Sequence, residues 1–302
     1  MRRLATVQRH LSTTRIVCAD RSMLAPAITP APPGAPVEEV PTPALLLDLH
    51  ALEHNCASLN AHLAPHAGRV RARPHAKAFK SSELAKVLPF ERFCCQTVRE
   101  AEAMVTGGVM DVLVTNQVLG EKLPRLAALA ARGATVGALV DASVHVALLN
   151  DAAVAAGVTL TAYVEINGGQ NRCGVEGGSD DALRLAQEII SAPALKFGGL
   201  QCYHGAIQHV RDPAERRAKV LSMPVVAARA TVDKLAAAGI VCPVVSGGGT
   251  GTFLYELEGG VHTEIQPGSF LFMDGDCKLR LHAHQHNIAC MPVRFRAQRR
   301  AG

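Results

Sequence analysis

From Pro43 onward, short apolar runs alternate with segments whose apolar residues recur every three or four positions. The runs at 44–47, 69–73, 93–96, 112–115, 135–140, 159–166, 196–203 and 241–246 read as strands. Between them, 84–88, 121–131, 182–190 and a longer stretch at 214–238 carry the helical period. Strands that alternate with helices build parallel βαβ units. Eight such units over about 240 residues predict an α/β fold of the (β/α)8 TIM-barrel type. An open doubly wound sheet is the rival, and the even spacing of the units favours closure. In a closed barrel, chemistry gathers at the C-terminal ends of the strands. The residues that follow the strand runs are Arg73 to Lys77, Gln96, Asn167 to Arg172, Tyr203, and Ser246 to Gly251.

The two chain ends differ from this middle. MRRLATVQRHLSTTRIVCADRS sets Leu4, Val7 and Leu11 on one helical face among arginines. That is the pattern of an organelle transit peptide, without the apolar centre of a secretory signal. It predicts a mitochondrial location, with chloroplast or cytoplasm as alternatives; a disordered basic arm is the other reading. The proline-rich stretch 26–43 reads as a linker. Residues 1–37 are therefore expected to precede a barrel domain at 38–277, and 278–302 to form a disordered basic tail.

Charge follows the same division. The 302-residue chain carries a formal net charge of +5. Residues 1–37 hold five Arg and one acid, and 278–302 hold six Lys or Arg and none. Removing both leaves 31 − 11 = 20 basic against 26 − 1 = 25 acidic residues, so the middle is acidic. A nucleic-acid surface needs its basicity on the folded body, so that partner is excluded. No apolar run approaches the ~20 residues of a spanning helix, so no membrane partner is expected. The nine Cys form no CxxC pair, and several lie in strand runs, as buried reduced thiols do.

Three segments carry candidate chemistry. Lys77 lies in RARPHAKAFKS just beyond a strand, where partial desolvation would lower its pKa and free the amine to attack a carbonyl. Pro74 fixes the chain there, and Arg73 and His75 add polar groups. The plainer reading is a surface lysine, a role that suits Lys80 better. Ser246-Gly247-Gly248-Gly249-Thr250-Gly251-Thr252 follows what reads as the last strand. Glycines allow backbone N–H groups to converge on a phosphate, and a following helix end adds its dipole; otherwise the run is a flexible turn. It does not match the P-loop, so nucleotide hydrolysis is unsupported. EINGGQNRCGV puts Arg172 in a Gly-rich loop, where it could donate to a phenolate or carboxylate, or pair with Asp180 or Glu176. Tyr203 could contact a cofactor or close the core. His204 and His209 read as structural or surface residues.

RPHAKAFKS, CQTVREAEAM, DVLVTNQV, EINGGQNRCGV, GGLQCYHGAIQH, VSGGGTGT and TEIQPGSFLFMD occur in this order. Together, from about Pro43 to Asp276, they resemble the D-threonine aldolase, 3-hydroxy-D-aspartate aldolase and D-serine dehydratase-like family of alanine-racemase-type pyridoxal phosphate enzymes. The resemblance implies that Lys77 takes the cofactor's aldehyde and that Gly248, Gly249 and Thr250 hold its phosphate. It also implies that Arg172 contacts the ring oxygen and that Gln96 and Tyr203 line the same mouth. With His75 and Ser246 these make up the candidate cofactor site. The implied activity is retro-aldol cleavage of a small 3-hydroxy-D-amino acid. A non-catalytic pyridoxal phosphate-binding protein and a D-serine dehydratase are the alternatives, and a homodimer is compatible with the resemblance.

The pattern departs after Cys277. Family members continue into a β-rich domain whose His and acid or Cys bind a divalent metal. KLRLHAHQHNIACMPVRFRAQRRAG is basic and acid-free instead. His282, His284, His286 and Cys290 read as tail residues rather than ligands, so no metal site is expected in this chain. The expectation is a chain that keeps the cofactor cradle and lacks the metal that polarises the hydroxyl.

Overall fold

The computed structural model describes residues 32, 34–41, 44–273 and 294–296. The Arg-rich start and the tail histidines lie outside the described residues. The chain divides into two compact units, residues 47–292 and a small unit drawn from 1–46 and 293–302.

The large unit is built on eight parallel strands: β1 (Arg71–Ala72), β2 (Phe93–Cys95), β3 (Asp111–Gln117), β4 (Thr135–Val140), β5 (Leu160–Asn167), β6 (Leu195–Cys202), β7 (Val245–Gly247) and β8 (Glu264–Ile265). The pairing runs β1-β8-β7-β6-β5-β4-β3-β2. The two ends of that row meet where His75 bridges Cys94 in parallel and Cys94 N–H donates to the Pro74 carbonyl at 2.9 Å. This closes the ring, as the spacing of the runs predicts. A two-residue strand, Val175–Glu176, extends β5 at Ile166 and Asn167.

Seven of the eight expected strands belong to the barrel. The run at 44–47 does not: Ala44–Leu46 pairs antiparallel with Arg294–Arg296 in the small unit. That pairing also makes part of the expected tail a strand. The eighth barrel strand is instead Glu264–Ile265, too short and too polar to stand out as an apolar run. Each later element therefore moves one place. Lys77 follows β1, Arg172 follows β5, Tyr203 follows β6, and the glycine run follows β7 rather than the last strand.

Helices α1 (Leu49–Leu63), α2 (Ser82–Val87), α3 (Val98–Thr106), α4 (Lys122–Ala131), α5 (Ser143–Ala156), α6 (Asp180–Ser191), α7 (Pro213–Ser222), α8 (Pro224–Ala237) and α9 (Phe253–Gly259) complete the large unit. Several start on side chains suited to satisfy free N–H groups. Ser81, Thr97, Ser179 and Asp212 accept from Leu84, Glu100, Ala182 and Glu215 respectively. On α6, Ala182, Leu185, Ala186 and Ile189 are buried, the one-sided spacing of a helix packed on a sheet. The stretch expected as one helix at 214–238 is two, because Pro224 lacks an N–H to continue α7 and begins α8 instead. Among the described residues no helix is long and apolar enough to cross a membrane.

The main core lies between the strands and the helices, with Leu126, Leu149, Leu185 and Phe253 fully buried. A second cluster, Cys94, Leu113, Leu139, Tyr163 and Val244, forms apart from it. At the β5–β6 shift in register, Gly199 has φ +118°, and a Cβ there would meet the Val244 carbonyl. Only glycine fits that approach.

Candidate functional site

The loops after the strands enclose a cavity of about 710 Å³, lined among others by His75, Lys77, Gln96, Thr115, Gln170, Arg172, Gln201, Tyr203, Gln208, His209, Gly249, Thr250, Gly251 and Gln266. That volume suits a small organic ligand.

Lys77 opens onto this space from a 3-10 turn, Ala76–Ala78, that His75 caps. The cap fixes the state of the imidazole. The Thr115 hydroxyl donates its one proton to the Cys95 carbonyl at 3.2 Å, so at 3.0 Å it accepts from His75 Nε2. Nδ1 is then free to accept the Lys77 backbone N–H at 3.3 Å. Burial, aided by the charge of Lys77, lowers the His75 pKa to about 3, so the ring is neutral. His75 thus positions Lys77 without competing with it as a base.

The Lys77 amine has a lowered pKa, first through desolvation by the cavity wall and then through the positive charge of Arg172. Its Nζ lies 5.9 Å from the centroid of the Tyr203 ring. Lys80, by contrast, points to solvent and pairs with Glu100 at 3.2 Å. Gln96 is held by its backbone: its N–H donates to Glu100 Oε2 at 2.7 Å, and its carbonyl accepts from Asn116 at 2.6 Å.

Arg172 pairs with neither residue that the sequence suggests. Its nearest acid is Glu165 Oε1 at 3.9 Å, while Asp180 pairs with Lys234 and Glu176 accepts from Asn167. Burial raises the Glu165 pKa, moderated by a hydrogen bond from Gln117 and by Arg172. His209 lines the cavity, unlike the surface or structural role expected of it. His204 does act structurally, accepting the Ile207 N–H at 3.4 Å.

The glycine run is built from within. Gly249 N–H donates to Thr252 Oγ1 at 3.1 Å, and Gly251 N–H donates to Gln208 Oε1 at 2.7 Å. A Cβ at Gly249 would lie 2.8 Å from the Gln208 amide. Gly249, Thr250 and Gly251 face the cavity and Gly248 does not. Ser246 also departs from its expected role. It is fully buried, donating to Glu264 Oε1 at 2.7 Å and accepting from Gln266 Nε2 at 2.8 Å. Its hydroxyl is committed to the barrel interior and has no share in the cavity.

Below the cavity that interior is polar. Gln201 and Gln266 exchange amide hydrogen bonds at 3.0 and 2.7 Å. Arg73 donates to Glu264 at 3.0 Å and Asp111 at 2.6 Å. Burial opposes the Glu264 charge, yet Arg73, Ser246 and Arg71 hold its pKa below the usual carboxylate value. Arg73 is therefore part of the barrel's foundation, not of the reactive surface. Gln201, Gln208 and Gln266 are cavity residues that sequence reasoning did not single out. Their roles come from contacts between segments far apart in the chain.

The chain is similar in sequence and fold to known proteins. A profile of the alanine racemase N-terminal domain matches residues 47–276. D-threonine aldolase of Arthrobacter sp is 40% identical over 252 residues, 82% of this chain and 65% of the relative. 3-hydroxy-D-aspartate aldolase of Paracoccus denitrificans (strain Pd 1222) is 41% identical over 252 residues, 82% of this chain and 64% of the relative. The crystal structure of D-threonine aldolase from Filomicrobium marinum superposes with a TM-score of 0.79 at 42% identity, covering 87% of this chain and 70% of that one. This chain spans just under two thirds of the length of the two curated relatives. The match to the profile takes in every barrel strand, the lysine after β1 and the glycine loop after β7, and the chain belongs to the alanine racemase N-terminal domain family.

Proposed function

We propose that this chain is the cofactor-binding barrel of a pyridoxal phosphate-dependent lyase that cleaves 3-hydroxy-D-amino acids, such as D-threonine or 3-hydroxy-D-aspartate, to glycine and an aldehyde. The observation that carries the reading is the pairing of the Lys77 amine, with its lowered pKa, and the glycine loop on one cavity. The cradle fits the cofactor's phosphate, because a Cβ at Gly249 or Gly251 would crowd Gln208 and glycine there presents backbone to the space.

In this reading Gly249, Thr250 and Gly251 hold the phosphate, and Lys77 takes the aldehyde. Tyr203 lies against Lys77, and Arg172 supplies a positive charge at the mouth. When bound, the cofactor serves as the electron sink for carbon–carbon cleavage. The lowered pKa of Lys77 lets the amine exist unprotonated nearer neutrality, able to accept a proton and return it. His75 keeps the Lys77 backbone in place.

The resemblance also implies a divalent metal. Among the described residues, Asp141, Glu165 and Cys173 bring ligand atoms within 4.8 Å of one another. Both acids are already engaged: Asp141 by His145 and Gly174, Glu165 by Gln117. With Arg172 3.9 Å from Glu165, the three face a positive charge where a cation would sit, and they do not fit a metal.

The test is to supply the full chain with pyridoxal phosphate and assay D-threonine, 3-hydroxy-D-aspartate and D-serine. Glycine from the first two supports the lyase reading. Pyruvate from D-serine alone would replace it with dehydration, and cofactor occupancy without turnover would leave a binding protein. The same proposal places the protein in the mitochondrion on the strength of its arginine-rich start. Imaging of a C-terminal fluorescent fusion tests that placement.

A further inference from the structure

The hydroxyl of Thr252, at the start of α9, is a junction. It accepts from Gly249 N–H at 3.1 Å and from Gln208 Nε2 at 2.6 Å. Those two bonds use both of its lone pairs. Its single proton is left over, and the Glu256 carboxyl stands one turn later on the same helix, where the Thr252 hydroxyl favours its charged form. Glu256 is only 3% exposed, does not line the cavity, and makes no ion pair among the described residues. Its Oε2 is buried without a hydrogen-bond partner, 3.2 Å from the point where a Cβ on Gly248 would stand. A carboxyl therefore sits directly behind the glycine loop. Resting on the phosphate-cradle reading above, we propose that Glu256 is a positioning residue of that cradle, and that the proton it carries governs how tightly the loop holds a phosphate.

The physics follows from the geometry. A neutral carboxyl leaves no charge behind the loop that Thr252, Gly249 and Gln208 brace. An ionised one places a buried negative charge behind a loop that must face a phosphate dianion, and the like charges repel across a medium of low dielectric. Burial raises the Glu256 pKa to about 8, with the Thr252 hydrogen bond opposing, so the neutral form prevails at pH 7 and the charged form appears under mildly alkaline conditions. The titratable and charged groups on the elements packed around it do not substitute for that proton. Cys202 at the end of β6 is a thiol pushed up to about 12, and His262 ahead of β8 is neutral, lowered to about 4 by burial. Arg216 on α7 stacks 6.0 Å from the Tyr255 ring, Arg217 pairs with Glu258, and Arg229 on α8 donates to the Gly259 carbonyl. His62 on α1 packs edge-on against Phe253.

The experiment measures binding of pyridoxamine 5′-phosphate to the full chain freed of cofactor. This probe carries the phosphate but no aldehyde, so it cannot link to Lys77. Affinity is compared between about pH 6.5 and about pH 9 for the wild type and Glu256→Gln, which keeps the shape and cannot ionise. The wild type should lose about tenfold more affinity than the variant over that range, the equivalent of one pKa unit of coupling. Thr252→Val, which removes the donor that favours the charged form, should move the wild-type midpoint upward, and Thr252→Ser should restore it. Infrared difference spectra of the unmodified chain supply a measurement free of folding defects: a buried protonated carboxyl should vanish over the same interval in which the probe is released. Parallel affinity curves for wild type and Glu256→Gln, or no such carboxyl signal, would overturn the role of Glu256 alone. Failure of every form to bind the probe at any pH would overturn the phosphate cradle and this proposal with it.

Discussion

The Lys77 amine stands 5.9 Å from the centre of the Tyr203 ring, although the two residues leave the barrel on β1 and β6. An aromatic face attracts the charged form of an amine. Burial and the nearby Arg172 charge nevertheless leave Lys77 with a lowered pKa. The reactive state of Lys77 is thus set by its surroundings as a whole.

Arg172→Met removes the second of those causes. The Lys77 pKa should rise toward its ordinary value, and the amine should need more alkaline solution to react. Measuring the rate of Lys77 acylation against pH, read by peptide mass spectrometry, checks this. An unchanged midpoint would mean that burial alone sets the state of Lys77.

Gly249→Ala places a methyl 2.8 Å from the Gln208 amide. Gln208 must then shift and release Gly251 N–H. We expect the fold to persist with a loss of about 1–3 kcal/mol, as in other overpacked sites, and phosphate affinity to fall by about tenfold or more. Adding Gln208→Ala should recover much of the stability and little of the affinity. Thermal melts and titration with pyridoxamine phosphate separate the two effects.

Arg73→Met leaves the buried Glu264 carboxylate with only Arg71, at 2.9 Å, as a cationic partner among the described residues. Breaking a buried pair on one side typically costs about 3–5 kcal/mol, and urea denaturation should show a loss of that order. Adding Glu264→Gln should return part of it, because a buried charge that has lost one of its two arginine partners is gone.

Three buried groups shape the dependence of stability on pH. His75 and His262 have folded pKa values lowered from 6.5 to about 3 and about 4. Their contribution is present above pH 6.5 and is lost on acidification. Glu256 is raised from 4.5 to about 8, so its contribution is full below 4.5 and is lost as the pH rises to about 8. Between 4.5 and 6.5 the two histidines outweigh the one carboxyl, and above 6.5 Glu256 acts alone. Stability from these groups should peak near pH 6.5. It should then fall on the alkaline side by at most about 1.4 kcal/mol per pH unit. Denaturant midpoints across the range test this, and Glu256→Gln should flatten the alkaline limb.

The barrel was legible because its longer strands, such as Leu160–Asn167 and Leu195–Cys202, are mostly apolar and buried on both faces. Glu264–Ile265 escaped because it is two residues long and its acid is neutralised by Arg73, a partner 191 positions away. Ala44–Leu46 has the composition of a strand, but composition does not choose the partner. In the site, Lys77 and the glycine run stood out through their place after strands. Ser246 belongs to the same motif, yet its hydroxyl faces Glu264 and Gln266 rather than the cavity. Gln208 carries no signature of its own, since its function is to hydrogen-bond Thr252 and Gly251 of the loop.

The proposed function requires the Lys77 amine to take the cofactor's aldehyde. Borohydride reduction of the chain loaded with pyridoxal phosphate, followed by digestion and peptide mass spectrometry, reads out where the aldehyde is bound. The pyridoxyl adduct is expected on Lys77 and is expected to be absent from Lys77→Ala. An adduct on another lysine, or an undiminished yellow chromophore in Lys77→Ala, would contradict it.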